Sequence, residues 1–160
     1  MRRILYVALA CLVACYSPQS KEKAISKLPS FKMLLIDSIT TLKAEEIPTG
    51  KPIVLLFFRP DCPHCWEETQ DILDHIDSFR NVRFYMLAIE SLHKIREFCL
   101  SFNLDKYENF TIGKDQEYTF LRAFRPSSVP YMAVYDGNKK LVKIYNGGTA
   151  IDHIFKATHI

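Results

Sequence analysis

Four apolar segments of this chain predict the main strands of a β-sheet. Residues 53–58 are apolar at every position, as expected of a central strand buried on both faces. Residues 82–89 predict a second strand, and residues 131–135 and 140–145 flank the turn-forming sequence Asp-Gly-Asn-Lys of a β-hairpin. Weaker patterns predict an edge strand and a short strand, at residues 31–38 and 109–112. Residues 40–50 predict only a turn-rich connection.

The segments between these strands have helical spacing. A helix is predicted from residue 63 to about residue 79, with Pro63 in its first turn, where a missing N–H costs nothing. Its core-facing stripe consists of Ile72, Leu73, Ile76 and Phe79. Further helical segments are predicted over residues 92–102, 116–124 and 149–158. The alternation predicts an α/β fold, in which helices cover both faces of a central mixed sheet.

The N-terminus has the pattern of a secretory signal. Two arginines precede an apolar stretch at residues 4–14, which is too short to span a bilayer as a helix. We therefore interpret residues 1–14 as a signal peptide, with Cys11 removed in the mature chain. The sequence Leu-Val-Ala-Cys ending at Cys15 resembles the bacterial lipoprotein cleavage box, which implies a lipid on Cys15. An ordinary signal peptide is the alternative.

Domain organisation and charge follow from this interpretation. Residues 15–30 are polar and contain two prolines, as expected of a tether between a lipid anchor and a folded domain. Residues 31–160 are then enough for one compact domain. Loss of Arg2 and Arg3 with the signal lowers the formal net charge of +3 by two. Since no basic cluster with interleaved aromatic residues remains, we expect no nucleic-acid partner.

The candidate chemistry lies in the sequence Cys62-Pro63-His64-Cys65, directly after the apolar strand. Two cysteines at this spacing at the start of a helix can form and reopen a disulfide. The same spacing also occurs in zinc sites, but zinc needs two more ligands, and no second pair of ligands is present at short spacing. The context therefore favours a dithiol redox centre over a metal site.

This region resembles the active site of thioredoxin-fold proteins, most of all the TlpA/ResA-like periplasmic thiol-disulfide oxidoreductases. The later order of Ser128-Val129-Pro130, strand, turn and strand agrees with the family, and the resemblance covers residues 31–160. It implies a thioredoxin-like fold with a helical insertion in residues 91–112, before the third helix. It also implies that Pro130 is cis beside the disulfide and that the backbone of Val129 pairs with the substrate.

The roles expected of the site residues follow partly from their positions on the helix and partly from the family resemblance. The helix N-terminus stabilises negative charge on Cys62, which we assign as the nucleophile, and Cys65 is the resolving thiol. Pro63 and His64 are expected to tune the redox properties of the pair. Glu68 lies one helical turn after Cys65, and the family's C-x-x-C-x-x-E pattern implies that it handles the proton of the inner thiol.

The chain departs from the family at three positions. Asp61 stands where the family commonly has Trp, and its negative charge is expected to oppose a Cys62 thiolate. The tryptophan of this chain, Trp66, follows the second cysteine instead. Leu56 replaces the buried aspartate of plain thioredoxin, which leaves Glu68 as the proton acceptor. The Pro-His dipeptide resembles that of the DsbA oxidants, so the direction of electron flow stays open.

Two other functions are open to such a chain. One is a copper metallochaperone of thioredoxin-like fold, with His153 or His159 completing a site at the two cysteines. The other is a peroxidase of the peroxiredoxin type, against which the missing T-x-x-C arrangement argues. Cys99 lies among apolar helix positions and is interpreted as a buried structural thiol.

The favoured function is a bacterial lipoprotein that faces the periplasm or the cell surface. The expected partners are cysteine-containing extracytoplasmic proteins and a redox protein that recycles the dithiol. A lipid anchor at Cys15 would hold the protein to the membrane. We expect a monomer that needs no cofactor and no metal.

Overall fold

The fold is a mixed β-sheet covered by helices, seen in a computed structural model that describes residues 25–160. In these residues the sheet has seven strands, in the order β2-β1-β5-β4-β3-β6-β7. The strands are β1 Lys32–Leu35, β2 Thr41–Lys43, β3 Ile53–Phe57, β4 Arg83–Ala88, β5 Phe110–Lys114, β6 Tyr131–Tyr135 and β7 Leu141–Asn146. Strand β3 is parallel to β4 and antiparallel to β6, so it lies inside the sheet as its apolar sequence predicts.

Helices pack against both faces of this sheet and confirm the predicted fold class. The helices are α1 Pro63–Asp74, α2 Leu92–Phe102, α3 Thr119–Phe124 and α4 Ile151–Thr158. Side chains of α1, α2 and α4 share one core layer with alternate residues of β3, β4 and β6. Helix α3 covers the other face, where Phe120 and Phe124 pack with the remaining side chains of β3 and β6. Among residues 25–160, no helix is long and apolar enough to cross a membrane.

The first helix ends earlier than its apolar stripe predicts. Helix α1 stops at Asp74, because the backbone of His75 leaves the helical region, and a 3₁₀ helix follows over Ile76–Phe79. Ile72 and Phe79 are nevertheless fully buried. The 3₁₀ turn thus continues the core-facing stripe with a different backbone.

The segment over residues 40–50 contains a strand, so its prediction as a connection alone was wrong. Strand β2 pairs antiparallel with β1 across a turn in which the Asp37 carboxylate accepts hydrogen bonds from the N–H groups of Ile39 and Thr40. Only three residues long and exposed at both ends, β2 has too few alternating positions to be recognised from sequence.

The domain begins before Phe31. Residues 25–30 were expected to belong to the tether, but Ile25 is buried and its carbonyl accepts a hydrogen bond of 3.0 Å from the Tyr135 hydroxyl. Lys27 also forms a bridge to Lys140, next to β7. The predicted signal peptide, with Cys11 and Cys15, lies outside the described residues.

Candidate active site

Cys62 occupies the N-cap of α1, at the end of the turn that follows β3. Its sulfur accepts the N–H of Cys65 at 3.4 Å, and Pro63 is the first residue of the helix. Cys62 is half-buried, and its sulfur lies at the positive end of the helix dipole. This is the position predicted for an attacking thiolate.

Cys65 lies one turn further along α1 and is buried in the core. Only 1% of its surface is exposed, and it is a free thiol, as is Cys62. Burial raises the pKa of Cys65 above its usual range, and the nearby Cys62 and Glu68 raise it further. The pair therefore combines a half-buried cysteine with a sheltered thiol that keeps its proton at neutral pH.

Glu68 lies on the same side of α1 as Cys65 and is 96% buried, as its spacing predicts. One carboxylate oxygen, Oε2, accepts the Thr149 N–H at 2.9 Å, whereas Oε1 is buried without a partner in the described residues. Burial raises the pKa of Glu68 to about 7, although the Thr149 N–H opposes this rise. Glu68 can therefore gain and lose a proton near neutral pH.

The loop before β6 forms the opposite wall of the site. The peptide bond between Val129 and Pro130 is cis, as the resemblance implies. The Cys62 thiol donates to the Val129 carbonyl at 3.8 Å, so the loop lies directly beside this sulfur. Pro130 is buried and Val129 is half-buried.

His64 points into solvent and pairs with a neighbouring residue of its own helix. Three-quarters of its side chain is exposed, and its Nδ1 lies 2.9 Å from Glu67 Oε2. A positive charge on His64 would be partly balanced by the Glu67 carboxylate, which would weaken its effect on Cys62. The expectation that Pro63 and His64 tune the redox pair stays a prediction.

An ion-pair cluster next to Cys62 was missed by the sequence analysis. The Arg59 guanidinium contacts both oxygens of Asp61, at 2.8 and 3.1 Å, and lies 3.6 Å from Glu90. These contacts lower the pKa of Asp61 and raise that of Arg59. Because Asp61 is paired, it opposes a Cys62 thiolate less than an isolated charge would. The proximity of Arg59 and Asp61 in the sequence was a signal for this pair.

Trp66, the residue after the second cysteine, closes the side of the site next to α2. Its indole N–H donates to the Pro60 carbonyl at 2.7 Å. Its ring packs against Phe98 and Phe102, with centroid distances of 5.4 and 4.9 Å. Trp66 thus fixes the loop before Cys62 to both helices. Leu56 is buried in β3 and supplies no acid or base, as its sequence position suggested.

The remaining cysteine and histidine candidates do not join this site. Burial raises the pKa of Cys99 to about 12, and only 4% of its surface is exposed. His153 contacts Thr149, and His159 stacks on Phe155. Within residues 25–160, no three His, Cys, Asp or Glu side chains are grouped so that they could hold a metal ion. No observation in this part of the chain therefore favours the copper hypothesis.

Comparison with known families shows where the chain belongs. The AhpC/TSA family profile matches residues 25–146, which include the cysteine pair and the loop at Pro130. The chain belongs to the AhpC/TSA family. This match begins at the same residue as the described fold and covers three-quarters of the chain. None of the curated proteins matches the sequence.

Solved structures show the same thioredoxin-like fold. A secreted disulfide oxidoreductase of Mycobacterium tuberculosis, described as homologous to E. coli DsbE, is 19% identical, with a TM-score of 0.66, covering 86% of this chain and 97% of its own. StoA of Bacillus subtilis is 15% identical, with a TM-score of 0.62, and the match covers 84% of this chain and 99% of StoA. The exposed lipoprotein thioredoxin of Streptococcus pneumoniae is 21% identical, with a TM-score of 0.62, and the match covers 81% of this chain and 97% of that protein.

Proposed function

We propose that this protein is an extracytoplasmic thiol-disulfide oxidoreductase of the TlpA/ResA-like type, which exchanges the Cys62–Cys65 dithiol or disulfide with substrate proteins. The observation that supports it most is the asymmetry of the pair. Cys62 is half-buried at a helix N-terminus beside the Val129 carbonyl, whereas Cys65 is fully buried beside a carboxyl group that is also buried. Attack and resolution need thiols in these two different environments.

The first step joins the enzyme to its substrate. In the direction of substrate reduction, the Cys62 thiolate attacks one sulfur of a substrate disulfide and forms a mixed disulfide. The other substrate sulfur leaves as a thiolate, which takes up a proton. The α1 N-terminus stabilises the thiolate before attack. The backbone of Val129 pairs with the substrate strand and presents its disulfide to Cys62.

The second step releases the substrate. Cys65 loses its proton to ionised Glu68 and attacks the Cys62 sulfur, which forms the Cys62–Cys65 disulfide and expels the second substrate thiolate. Two electrons pass from the enzyme dithiol to the substrate disulfide. A separate redox partner then supplies two electrons that reduce the Cys62–Cys65 disulfide back to the dithiol. Substrate oxidation follows the same steps in reverse.

The proposed location is the outer side of a bacterial membrane, with residues 1–14 removed and lipid on Cys15. The N-terminal sequence supports it, and two proteins of the same fold are described as secreted and as an exposed lipoprotein. The proposed form is a monomer, whose partners are cysteine-containing proteins. Mass spectrometry of the membrane fraction tests the anchor, and a mature chain that lacks acyl mass or begins at another residue would contradict it.

Cysteine variants test the chemistry. We expect Cys62→Ser to abolish insulin reduction, because it removes the attacking sulfur, and Cys65→Ser to accumulate mixed disulfides that non-reducing gels detect. Cys99→Ser is the matched control, because it removes a buried thiol outside the site, and we expect it to keep wild-type turnover. Full activity in the Cys62→Ser/Cys65→Ser double variant would overturn the proposal.

A further inference from the structure

Four consecutive residues, 146–149, contact both walls of the candidate site. We call them the bridging loop. The Gly147 N–H donates to the Pro130 carbonyl at 2.9 Å, and the Thr149 N–H donates to Glu68 Oε2 at the same distance. The bridging loop, which begins at the last residue of β7 and leads towards α4, therefore connects the wall at Pro130 to the buried carboxyl group on α1.

The bridging loop also holds the residues that precede Val129. The Asn146 side-chain oxygen accepts the N–H and the hydroxyl of Ser128, at 3.2 and 3.1 Å. The Asn146 amide donates to the Ser127 hydroxyl. Because Ser128 is adjacent to Val129, these contacts restrain the backbone edge that lies beside Cys62.

Two glycines let the loop approach Glu68 closely. Gly147 has a φ of +105°, a conformation that side chains rarely allow. A Cβ on Gly148 would lie 3.4 Å from Glu68 Oε2, at the short limit of ordinary van der Waals contact. Since glycine loses more conformational freedom than any other residue on folding, such a loop needs contacts that hold it in place.

A cluster of three side chains supplies those contacts. The Thr149 hydroxyl lies 3.2 Å from His153 Nδ1. The His153 ring lies parallel to the Tyr145 ring at a centroid distance of 6.3 Å, and the Tyr145 hydroxyl donates to the His153 carbonyl at 3.0 Å. The cluster thus ties the end of β7 to the first turn of α4, with Thr149 between them.

We propose that the bridging loop, held by the Thr149–His153–Tyr145 cluster, positions Glu68 for proton transfer and Val129 for substrate pairing. This inference rests on the proposed function. Thr149, His153 and Asn146 are positioning residues, since none of them contacts the reacting sulfurs directly.

The Thr149 contact has a direct effect on the charge of Glu68. Its N–H stabilises the ionised carboxylate, whereas Cys65 and Asp71 are the titratable groups of the same helix that lie close enough to interact with it. From α4, His153 contacts the Thr149 hydroxyl and not Glu68 itself. Loosening the cluster therefore weakens the N–H contact and raises the pKa of Glu68.

Two substitutions test the cluster in the reduced protein. His153→Ala removes the ring, and Thr149→Val removes only the hydroxyl while keeping the backbone N–H and the shape of the side chain. We expect ¹³C NMR of the Glu68 carboxyl to show a titration midpoint about one pH unit higher in each variant. The ionised fraction of Glu68 at pH 7 is then about fivefold lower in each variant than in the wild type, and mixed-disulfide resolution slows by the same factor. The resolution rates of variants and wild type should converge above about pH 9.

Controls separate this inference from the proposed function. His159→Ala removes another ring of the C-terminal segment, which stacks on Phe155 away from the loop, and should leave the midpoint unchanged. Asn146→Ala should raise the KM for insulin without moving the midpoint. Unchanged midpoints in both His153→Ala and Thr149→Val would overturn the inference. Shifted midpoints with unchanged resolution rates would support the positioning of Glu68 and overturn its role in proton transfer.

Discussion

At the scale of single residues, burial favours the protonated forms of both Cys65 and Glu68. Cys65 and Glu68 lie within one helical turn in an environment that disfavours negative charge on both, so their protonation is coupled. The carboxyl group has the lower pKa of the two, about 7, and it is therefore the group that ionises first. The Glu68 carboxylate can therefore act as a base while the Cys65 thiol is still protonated and uncharged.

Glu68→Gln tests this coupling. The variant keeps the shape of the side chain and removes the group that titrates. We expect the wild-type resolution rate to rise as pH increases through about 7, where Glu68 becomes ionised and able to accept a proton. The Gln variant should lack this rise and be slower by about tenfold or more at pH 8. Stopped-flow measurement of the resolution rate from about pH 5.5 to about pH 9 checks it.

The matched control is Glu117→Gln, which changes an exposed carboxylate that pairs with Lys32 away from the site. Its pH profile should coincide with that of the wild type. If Glu68→Gln also follows the wild-type profile at every pH, Glu68 is a structural residue.

At the scale of elements, short segments depend on single polar side chains. Helix α3 has only six residues, and its N-terminal N–H groups are accepted by Asp115, which is fully buried at the end of β5. One oxygen accepts from Thr119 at 2.8 Å and the other from Phe120 at 2.9 Å. Sequence gave no indication of this contact, because Asp115 lies four residues before the helix starts.

Asp115→Ala should therefore destabilise the protein. It leaves buried N–H groups without acceptors, and we expect the free energy of unfolding to fall by about 3 kcal/mol. Asp115→Asn keeps one acceptor and should cost less. Urea unfolding measures both, with Asp105→Ala at an exposed position as the control. Equal stability of Asp115→Ala and Asp105→Ala would show that α3 does not depend on this cap.

At the scale of the whole molecule, the sequence predicted what local patterns encode. The apolar run of β3, the hairpin of β6 and β7 and the spacing from Cys65 to Glu68 all depend on near neighbours in the chain. What it did not predict depends on distant contacts. Ile25 is held by Tyr135, and Thr149 reaches Glu68 through a backbone N–H that any residue except proline carries. Such contacts join residues that are far apart in the chain, so no local pattern encodes them.

The burial of Glu68 also has a consequence for global stability. The folded protein holds this proton up to a pH of about 7, whereas an unfolded chain releases it near 4.5, the ordinary pKa of a glutamate side chain. Between these two values the folded state binds more protons, so the free energy of unfolding decreases as pH rises through this window. A shift of this size corresponds to about 3 kcal/mol once Glu68 is fully ionised.

Glu68→Gln should remove this loss. The neutral amide can still accept the Thr149 N–H, so wild type and variant should have similar stability near pH 5. By pH 8.5 the variant should be more stable by about 2–3 kcal/mol, in the reduced state with a phosphine reductant present. Urea unfolding at several pH values measures the difference, and Glu117→Gln should show none that depends on pH. A constant difference between Glu68→Gln and wild type would mean that Glu68 ionises in the folded protein as it does in the unfolded chain, and that burial at this site imposes no charge penalty.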